Sequence, residues 1–258
     1  MAEITKIQQP LSKLQERMTK MLEECRPNGW IDHPKEVCSR CQGFGWRRKP
    51  VALVNGVMTY TPETCDCQLE KLADNRLLKA SIPLIFQQAS LNLYKPQTPQ
   101  QTTVIRELKK WVENYKPGTK GLGFYGKAGI GKTWLLTAVL KELIHLGYSA
   151  HFTNVPDLLN RFRRCYGDDA IEGAEDITDE LNSMDILLLD DIMVSQNTEW
   201  VNQQIYTLLN HRVLNEKTTF VTFNGDIQKM NEKLTEPIAS RLQGLCRLML
   251  LDGQDRRR

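Results

Sequence analysis

Eight consecutive residues, Gly126-Lys127-Ala128-Gly129-Ile130-Gly131-Lys132-Thr133, fit the spacing G-x-x-x-x-G-K-[ST]. Glycines at 126, 129 and 131 let the backbone curl until successive N–H groups point inward at phosphate oxygens. A helix starting at Lys132 brings the positive end of its dipole to the same place. Lys132 then reaches the β- and γ-phosphates of a nucleoside triphosphate, Thr133 sets its hydroxyl on Mg²⁺, and Trp134, next in the chain, counts among the nucleotide contacts. A second run, Ile186-Leu187-Leu188-Leu189-Asp190-Asp191, is an apolar strand pattern ending in two carboxylates. In a doubly wound sheet such ends lie at the ligand crevice. Asp190 can hold Mg²⁺ mostly through water, and Asp191 can polarise an attacking water. An apolar strand ending in acids is commonplace alone; the glycine loop gives it weight. The chemistry these residues predict is ATP binding and hydrolysis, with ATP and Mg²⁺ as ligands.

Four cysteines form a separate constellation. Cys38-x-x-Cys41 and Cys65-x-Cys67 flank a hairpin pattern, with residues 42 to 64 between the pairs. Thiolates so spaced can enclose tetrahedral Zn²⁺ at Zn–S distances of about 2.3 Å. A segment with so little core would draw its folding free energy from the metal. C-x-C is less typical of zinc than C-x-x-C, so Cys25 and His33 stand as alternative ligands. An iron–sulfur cluster and unliganded reduced thiols are the competing readings. Cys165 and Cys246 fall on a later helix and strand and read as core.

The elements that must position these groups follow from periodicity. Apolar residues at Leu11, Leu14, Met18, Met21 and Leu22 predict a helix over 10–24. Strand runs at 51–54 and 57–60 are joined by the turn signal Asn55-Gly56, and 68–79 reads as a polar helix. Residues 81–101, punctuated by Pro83, Pro96 and Pro99, read as a linker. Beyond it strands alternate with helices, the mark of a parallel α/β sheet: helix 103–115, strand 121–125, helix 132–146, strand 149–153, helix 156–165, strand 186–190, helix 200–214, strand 218–223, helix 237–242 and strand 246–251. Residues 167–179 are acidic and read as exposed. The expected organisation is therefore an N-terminal module over 1–80, a linker over 81–101 and an ATPase domain over 102–258.

On the helix after the second of these sheet strands, Arg161, Arg163 and Arg164 interleave with Phe162 and Tyr166. Arginine for phosphate and an aromatic for base stacking are the parts of a single-stranded DNA surface, although three arginines on one helix are more often a solvated face. Bulk charge adds nothing, since the formal net charge is +3. A hydrophobic share of 41% and a charged share of 25% are those of a soluble globular protein. Seven cysteines, an odd number, argue against a disulfide framework. The start, Met1 to Lys6, carries no apolar signal segment, and Ile186–Leu189 is far too short to span a bilayer. The expectation is a cytoplasmic protein with no membrane partner.

With the motifs in hand, the last 158 residues or so resemble the DnaC/DnaI-type replicative helicase loaders and their IstB-like relatives, AAA+ ATPases of the initiator clade. The resemblance rests on 126–133, on Leu187-Leu188-Leu189-Asp190-Asp191-Ile192, on Thr219-Phe220-Val221-Thr222-Phe223-Asn224, on Ala239-Ser240-Arg241-Leu242 and on Leu251-Asp252-Gly253-Gln254-Asp255-Arg256-Arg257. It implies an AAA+ αβα sandwich with a parallel five-stranded sheet behind a small helical, zinc-hairpin N-terminal domain. It implies that Asn224 is the sensor-1 residue, against the plainer reading of a turn residue before Gly225. Arg241 becomes an arginine finger reaching a neighbouring subunit's nucleotide, against a solvated helix arginine. Arg257 or Arg256 becomes the sensor-2 arginine, against a basic tail. Many AAA+ proteins carry Glu where Asp191 stands, which favours a slow ATPase switch over a motor. The resemblance supports zinc in the cysteine module. It also implies a DnaB-type helicase and single-stranded DNA as partners, with a homo-oligomer forming on them. The competing functions are an IstB-like transposition helper, a class that generally lacks the cysteine module, and a zinc-bearing adaptor whose nucleotide site does not hydrolyse.

Overall fold

The computed structural model describes residues 38–54, 57–165, 172–193 and 198–257. The expected helix over 10–24, the alternative ligands Cys25 and His33, the Asn55-Gly56 turn and Tyr166 lie outside the described residues. Two compact units, Met1–Phe44 and Gly45–Arg258, divide the chain. The described part of the first is a tight knuckle in which Gln42 N–H donates to the Cys38 carbonyl at 2.7 Å and Phe44 N–H to that of Cys41 at 3.0 Å.

The second unit opens with an antiparallel ribbon, β1 (Trp46–Val54) and β2 (Val57–Thr64), whose register slips between Pro50 and Ala52. It runs past its apolar stretches, pairing Trp46–Lys49 with Thr61–Thr64, and there Glu63 accepts from Arg47 at 2.9 Å and from Lys49 at 3.1 Å across the ribbon. Cys65 caps α1 (Asp66–Lys79).

Five parallel strands form the sheet that carries the phosphate loop: β3 (Gly121–Gly126), β4 (Ala150–Asn154), β5 (Ile186–Asp190), β6 (Thr218–Asn224) and β7 (Cys246–Leu250), in the order β4-β5-β6-β3-β7. The parallel five-stranded α/β architecture expected from the sequence is the one observed. Helices cover both faces, so β5 is apolar from Ile186 to Leu189 and sorts its side chains by alternation. Ile186 and Leu188 of β5 enter one core together with Phe124, Phe152 and Phe220. Leu187 and Leu189 enter the other with Val221 and Phe223. The first core lies under α2 (Pro99–Glu113) and α3 (Lys132–His145). The second lies under α4 (Val155–Arg164), α5 (Ala174–Ser183), α6 (Glu199–Leu214), α7 (Ile227–Lys233) and α8 (Glu236–Leu245).

Two helices were not anticipated. In α5 the four acids of 174–183 obscured a simple apolar stripe: Ile177 and Leu181, four apart, are fully buried, and the Asp176 carboxylate accepts from Gly173 N–H at 2.9 Å at the helix start. Within the described part of 167–179, the acids Glu175, Asp176 and Asp179 are exposed as expected, whereas Ile177 is buried. The short α7 buries Met230 alone and is started by Asp226, which accepts from Lys229 N–H at 2.8 Å. Residues 81–101 insert Ala89, Leu91 and Tyr94 into the first core. Their last prolines do not break a helix; Pro99 starts one, behind Thr98 as N-cap.

Among the described residues Arg212 is the largest fully buried side chain. It donates to Thr219 Oγ1 at 2.9 Å, to the Leu181 carbonyl at 2.9 Å and to the Thr218 carbonyl at 2.7 Å, tying α5 and α6 to the start of β6. Burial pulls its pKa down to about 10. Among the described residues, no helix is long and apolar enough to cross a membrane.

Candidate nucleotide site

The strand order places the crevice at the end of β3. The chain leaves β3 for the far edge strand β4, then returns through β5 and β6 and crosses to β7 on the other side, so β3 and β6 flank the switch point. Gly126 pairs with Asn224 in that register. Beyond it the loop turns on residues in the left-handed region, Gly129 at φ 76° and Gly131 at φ 96°, the latter capping α3.

Lys132 is buried, and its ammonium donates to the Gly126 carbonyl at 3.1 Å, the Lys127 carbonyl at 2.6 Å and Asn224 Oδ1 at 2.8 Å. Burial lowers its pKa to about 8, against the opposing pull of Asp191 and Asp190. Asn224 donates its amide N–H to Asp191 Oδ1 at 3.2 Å, so one amide joins the cation to the second carboxylate. Its orientation is fixed by chemistry, since the ammonium needs an acceptor and the carboxylate a donor.

Asp190 Oδ1 accepts from Thr133 Oγ1 and from Thr222 Oγ1, both at 2.6 Å. Thr222 stands on β6 two residues before Asn224, and its hydroxyl also accepts from Asp191 N–H at 3.0 Å. Asp191 has φ 54°, a left-handed conformation that Asp tolerates better than most residues. The turn aims its carboxylate back at Asn224. Burial raises the Asp191 pKa, helped by Asp190 and opposed chiefly by Lys132. Thr222 was quoted in the sequence only as part of a strand. The signal for it is period two: on a strand whose Asn224 faces the loop, residue 222 faces the same side.

A divalent cation fits this donor set. Thr133 offers a neutral hydroxyl oxygen and Asp190 a carboxylate on adjacent elements, the hard oxygen pair Mg²⁺ selects beside substrate phosphates. The structure thus brings together Gly126–Thr133, Asp190, Asp191 and Asn224. Ile130 turns its side chain into the core, while Lys127 and Ala128 are exposed. The Trp134 indole turns to the Ser90 carbonyl at 3.4 Å. Arg257 is exposed, yet close enough for its charge to depress the Lys132 pKa further.

Other sequence candidates stand apart from this group. Arg241, on α8, lies with its guanidinium 4.1 Å from the centroid of the Tyr206 ring and donates to Tyr206 Oη at 2.6 Å and Asn210 Oδ1 at 2.9 Å, both on α6. The three arginines of α4 are not equivalent. Arg161 is paired with Glu172 and, at 2.5 Å, with Glu180. Arg163 is exposed over the Trp200 ring, and Arg164 is exposed. The thiols of Cys38, Cys41, Cys65 and Cys67 all lie within 4.8 Å of one another. Tetrahedral Zn–S bonds of about 2.3 Å require sulfurs about 3.8 Å apart, so this donor set fits zinc.

A family model, the bacterial DnaA ATPase domain, matches residues 102–247. The chain belongs to that family. Among curated relatives of this DnaA-type ATPase, the replicative helicase loader DnaI of Bacillus subtilis (strain 168) is 25% identical over 97% of this chain and 84% of its own length. The replicative helicase loader DnaC of Escherichia coli (strain K12) is 22% identical over 64% of this chain and 67% of its own. A crystal structure of the DnaC helicase loader superposes with a TM-score of 0.60 and 24% identity, covering 66% of this chain and all of that one. The DnaA-family match and these neighbours bear out the DnaC/DnaI-type resemblance and the AAA+ fold, so the domain around Lys132 is an AAA+ ATPase domain.

Proposed function

We propose that the chain is an ATP-dependent loader that places a DnaB-type replicative helicase on single-stranded DNA during replication initiation or restart, in the cytoplasm. The observation that carries this reading is the pairing of two sites in one chain. A hydrogen-bonded nucleotide site links Lys132, Asn224 and Asp191, a four-thiol cluster lies in the N-terminal part, and the similarity to a DnaI loader runs over nearly the whole chain. Residues 1–80 form the helicase-gripping module, 81–101 connect it, and 102–258 sense nucleotide and DNA.

In hydrolysis the loop amides and Lys132 hold the β- and γ-phosphates. Asp191 accepts hydrogen bonding from the attacking water while Asn224 keeps that carboxylate turned toward it. Water oxygen bonds to the γ-phosphorus, its proton passes to the departing phosphate, the bond to the bridging oxygen breaks, and ADP and inorganic phosphate leave. Thr133 and Asp190 would hold Mg²⁺, which would supply neutralisation of the phosphate charge. Arg241 completes a neighbouring copy's site in the assembled homo-oligomer, and Arg257 faces the phosphates as sensor 2. Arg163 and Arg164, being exposed, serve DNA better than Arg161, which its two glutamates occupy. The short Asp191 favours slow turnover, stimulated by single-stranded DNA. The four thiolates would hold Zn²⁺, which would tie the N-terminal module together.

The test is co-purification with a DnaB-type helicase, comparing the natural chain with Cys38→Ser/Cys41→Ser. Capture by the natural chain, and its loss in the double variant together with loss of protein-bound zinc, is expected. Failure of the natural chain to hold the helicase with ATP and Mg²⁺ present overturns the loader reading.

A further inference from the structure

The Gly129 and Ile130 carbonyls, on the outside of the phosphate loop, are held by groups that the nucleotide chemistry does not use. A loop that turns its N–H groups toward phosphate must turn carbonyls away from it, and those carbonyls need donors of their own. Lys132 and Gly225 N–H serve Gly126, and Leu135 N–H serves Gly131. The remaining donors come from the two ends of the domain. Gly129 carbonyl accepts from Arg256 N–H at 3.0 Å. Ile130 carbonyl accepts from Tyr94 Oη at 2.9 Å and from Arg256 Nε at 3.3 Å.

Arg256 is itself anchored. Its Nη2 donates to the Lys95 carbonyl at 2.7 Å and to Gln101 Oε1 at 2.9 Å, and its guanidinium lies 4.1 Å from the centroid of the Tyr94 ring. Gln101 is fully buried and fixed in turn, donating to the Asp252 carbonyl at 2.6 Å and accepting from Gln97 N–H at 2.8 Å. The fit is tight on the loop side as well. A Cβ on Gly129 would meet Asp255 Oδ1 at 2.0 Å, and one on Gly131 would meet the Tyr94 ring at 2.7 Å.

We infer that Arg256 is a positioning residue for nucleotide binding: with Tyr94 and Gln101 it clamps the outer side of the phosphate loop, so that the loop amides are preset for phosphate. This rests on the nucleotide-site reading and adds to it. Arg256 does not touch the nucleotide; its fork is spent on the loop, on Lys95 and on Gln101. A lysine cannot reproduce that fork, because it offers one point charge where three acceptors lie in different directions.

The experiment measures dissociation constants for Mg-ATP and Mg-ADP by calorimetry, with nucleotide-free thermal unfolding alongside, for the natural chain, Arg256→Ala, Arg256→Lys and Tyr94→Phe. The loop cradles phosphates that both nucleotides share. Arg256→Ala is therefore expected to weaken ATP and ADP by the same factor, about tenfold, the loss of one charge-assisted contact. KM for ATP should rise by more than kcat falls. Arg256→Lys should recover less than half of the loss, and Tyr94→Phe, which keeps the ring and removes only the hydroxyl donor, should weaken both nucleotides about threefold. Affinities within twofold of the natural chain in both Arg256→Ala and Tyr94→Phe would overturn the inference. So would a loss confined to ATP, which marks direct γ-phosphate contact. If the natural chain binds neither nucleotide, it is the nucleotide-site reading that falls.

Discussion

The ammonium of Lys132 donates to Asn224 Oδ1 at 2.8 Å, which makes the proposed phosphate-binding cation and the proposed hydrolysis machinery one hydrogen-bonded unit. Asn224 spends its other end on Asp191. Asn224→Ala removes the bridge, leaving Asp191 free to turn and Lys132 short of one acceptor. Turnover should fall roughly a hundredfold, the scale for losing a positioned polar group in a transition state. ATP affinity should stay within about threefold, because the loop amides and Lys132 remain. Single-turnover hydrolysis and equilibrium binding, measured together, check this; equal losses in both would show Asn224 to be a binding residue only.

Lys132 sets a pH dependence for binding. Its pKa is about 8 in the free site, and a triphosphate raises it, so binding takes up a proton wherever the free lysine is neutral. Affinity is therefore full below pH 8 and is lost as pH rises through that value. Mg-ATP should bind about tenfold more weakly at pH 9 than at pH 7. At the acid side the sign reverses for catalysis. The Asp191 carboxylate must be ionised to polarise water, and its pKa is raised, so kcat should begin to fall at a higher pH than an ordinary aspartate would impose. Calorimetry in buffers of different ionisation enthalpy reads the proton uptake directly; none at pH 8.5 would contradict the lysine assignment.

Arg241 offers a test between partners. Its guanidinium is engaged with Tyr206 and Asn210 on its own chain, and the finger role requires it to serve another chain's site. Arg241→Ala should lower turnover by about a thousandfold, the lower end for arginine fingers, with ATP binding retained. Lys132→Ala keeps the finger and loses the site. A mixture of the two inactive variants should regain part of the activity if the residue acts in trans. No recovery under conditions where the natural chain assembles would remove the finger assignment.

The nucleotide site was legible in the sequence because its chemistry is concentrated in contiguous motifs. Residues 126–133 and 186–191 each combine a local conformation with the reacting groups, and both lie where a parallel sheet puts them. The strands were legible for the same reason: two buried faces leave runs such as Ile186–Leu189 no polar positions. What stayed hidden was of two kinds. Thr222, Tyr94 and Gln101 act through partners 32, 36 and 155 residues away, and no local pattern marks such a residue. The helices over 174–183 and 227–233 bury only two apolar side chains and one, too few for a 3.6-residue period to stand above their charged neighbours. Arg212 reads as one more helix arginine until the carbonyls of Leu181 and Thr218 are seen around it.

The most direct measurement is calorimetric titration of the full chain with ATP in the presence and absence of Mg²⁺, repeated with Lys132→Ala. The account predicts one site per chain with magnesium, several-fold weaker binding without it, and no detectable binding in the variant. A natural chain that shows no magnesium-dependent affinity for adenine nucleotides would contradict it.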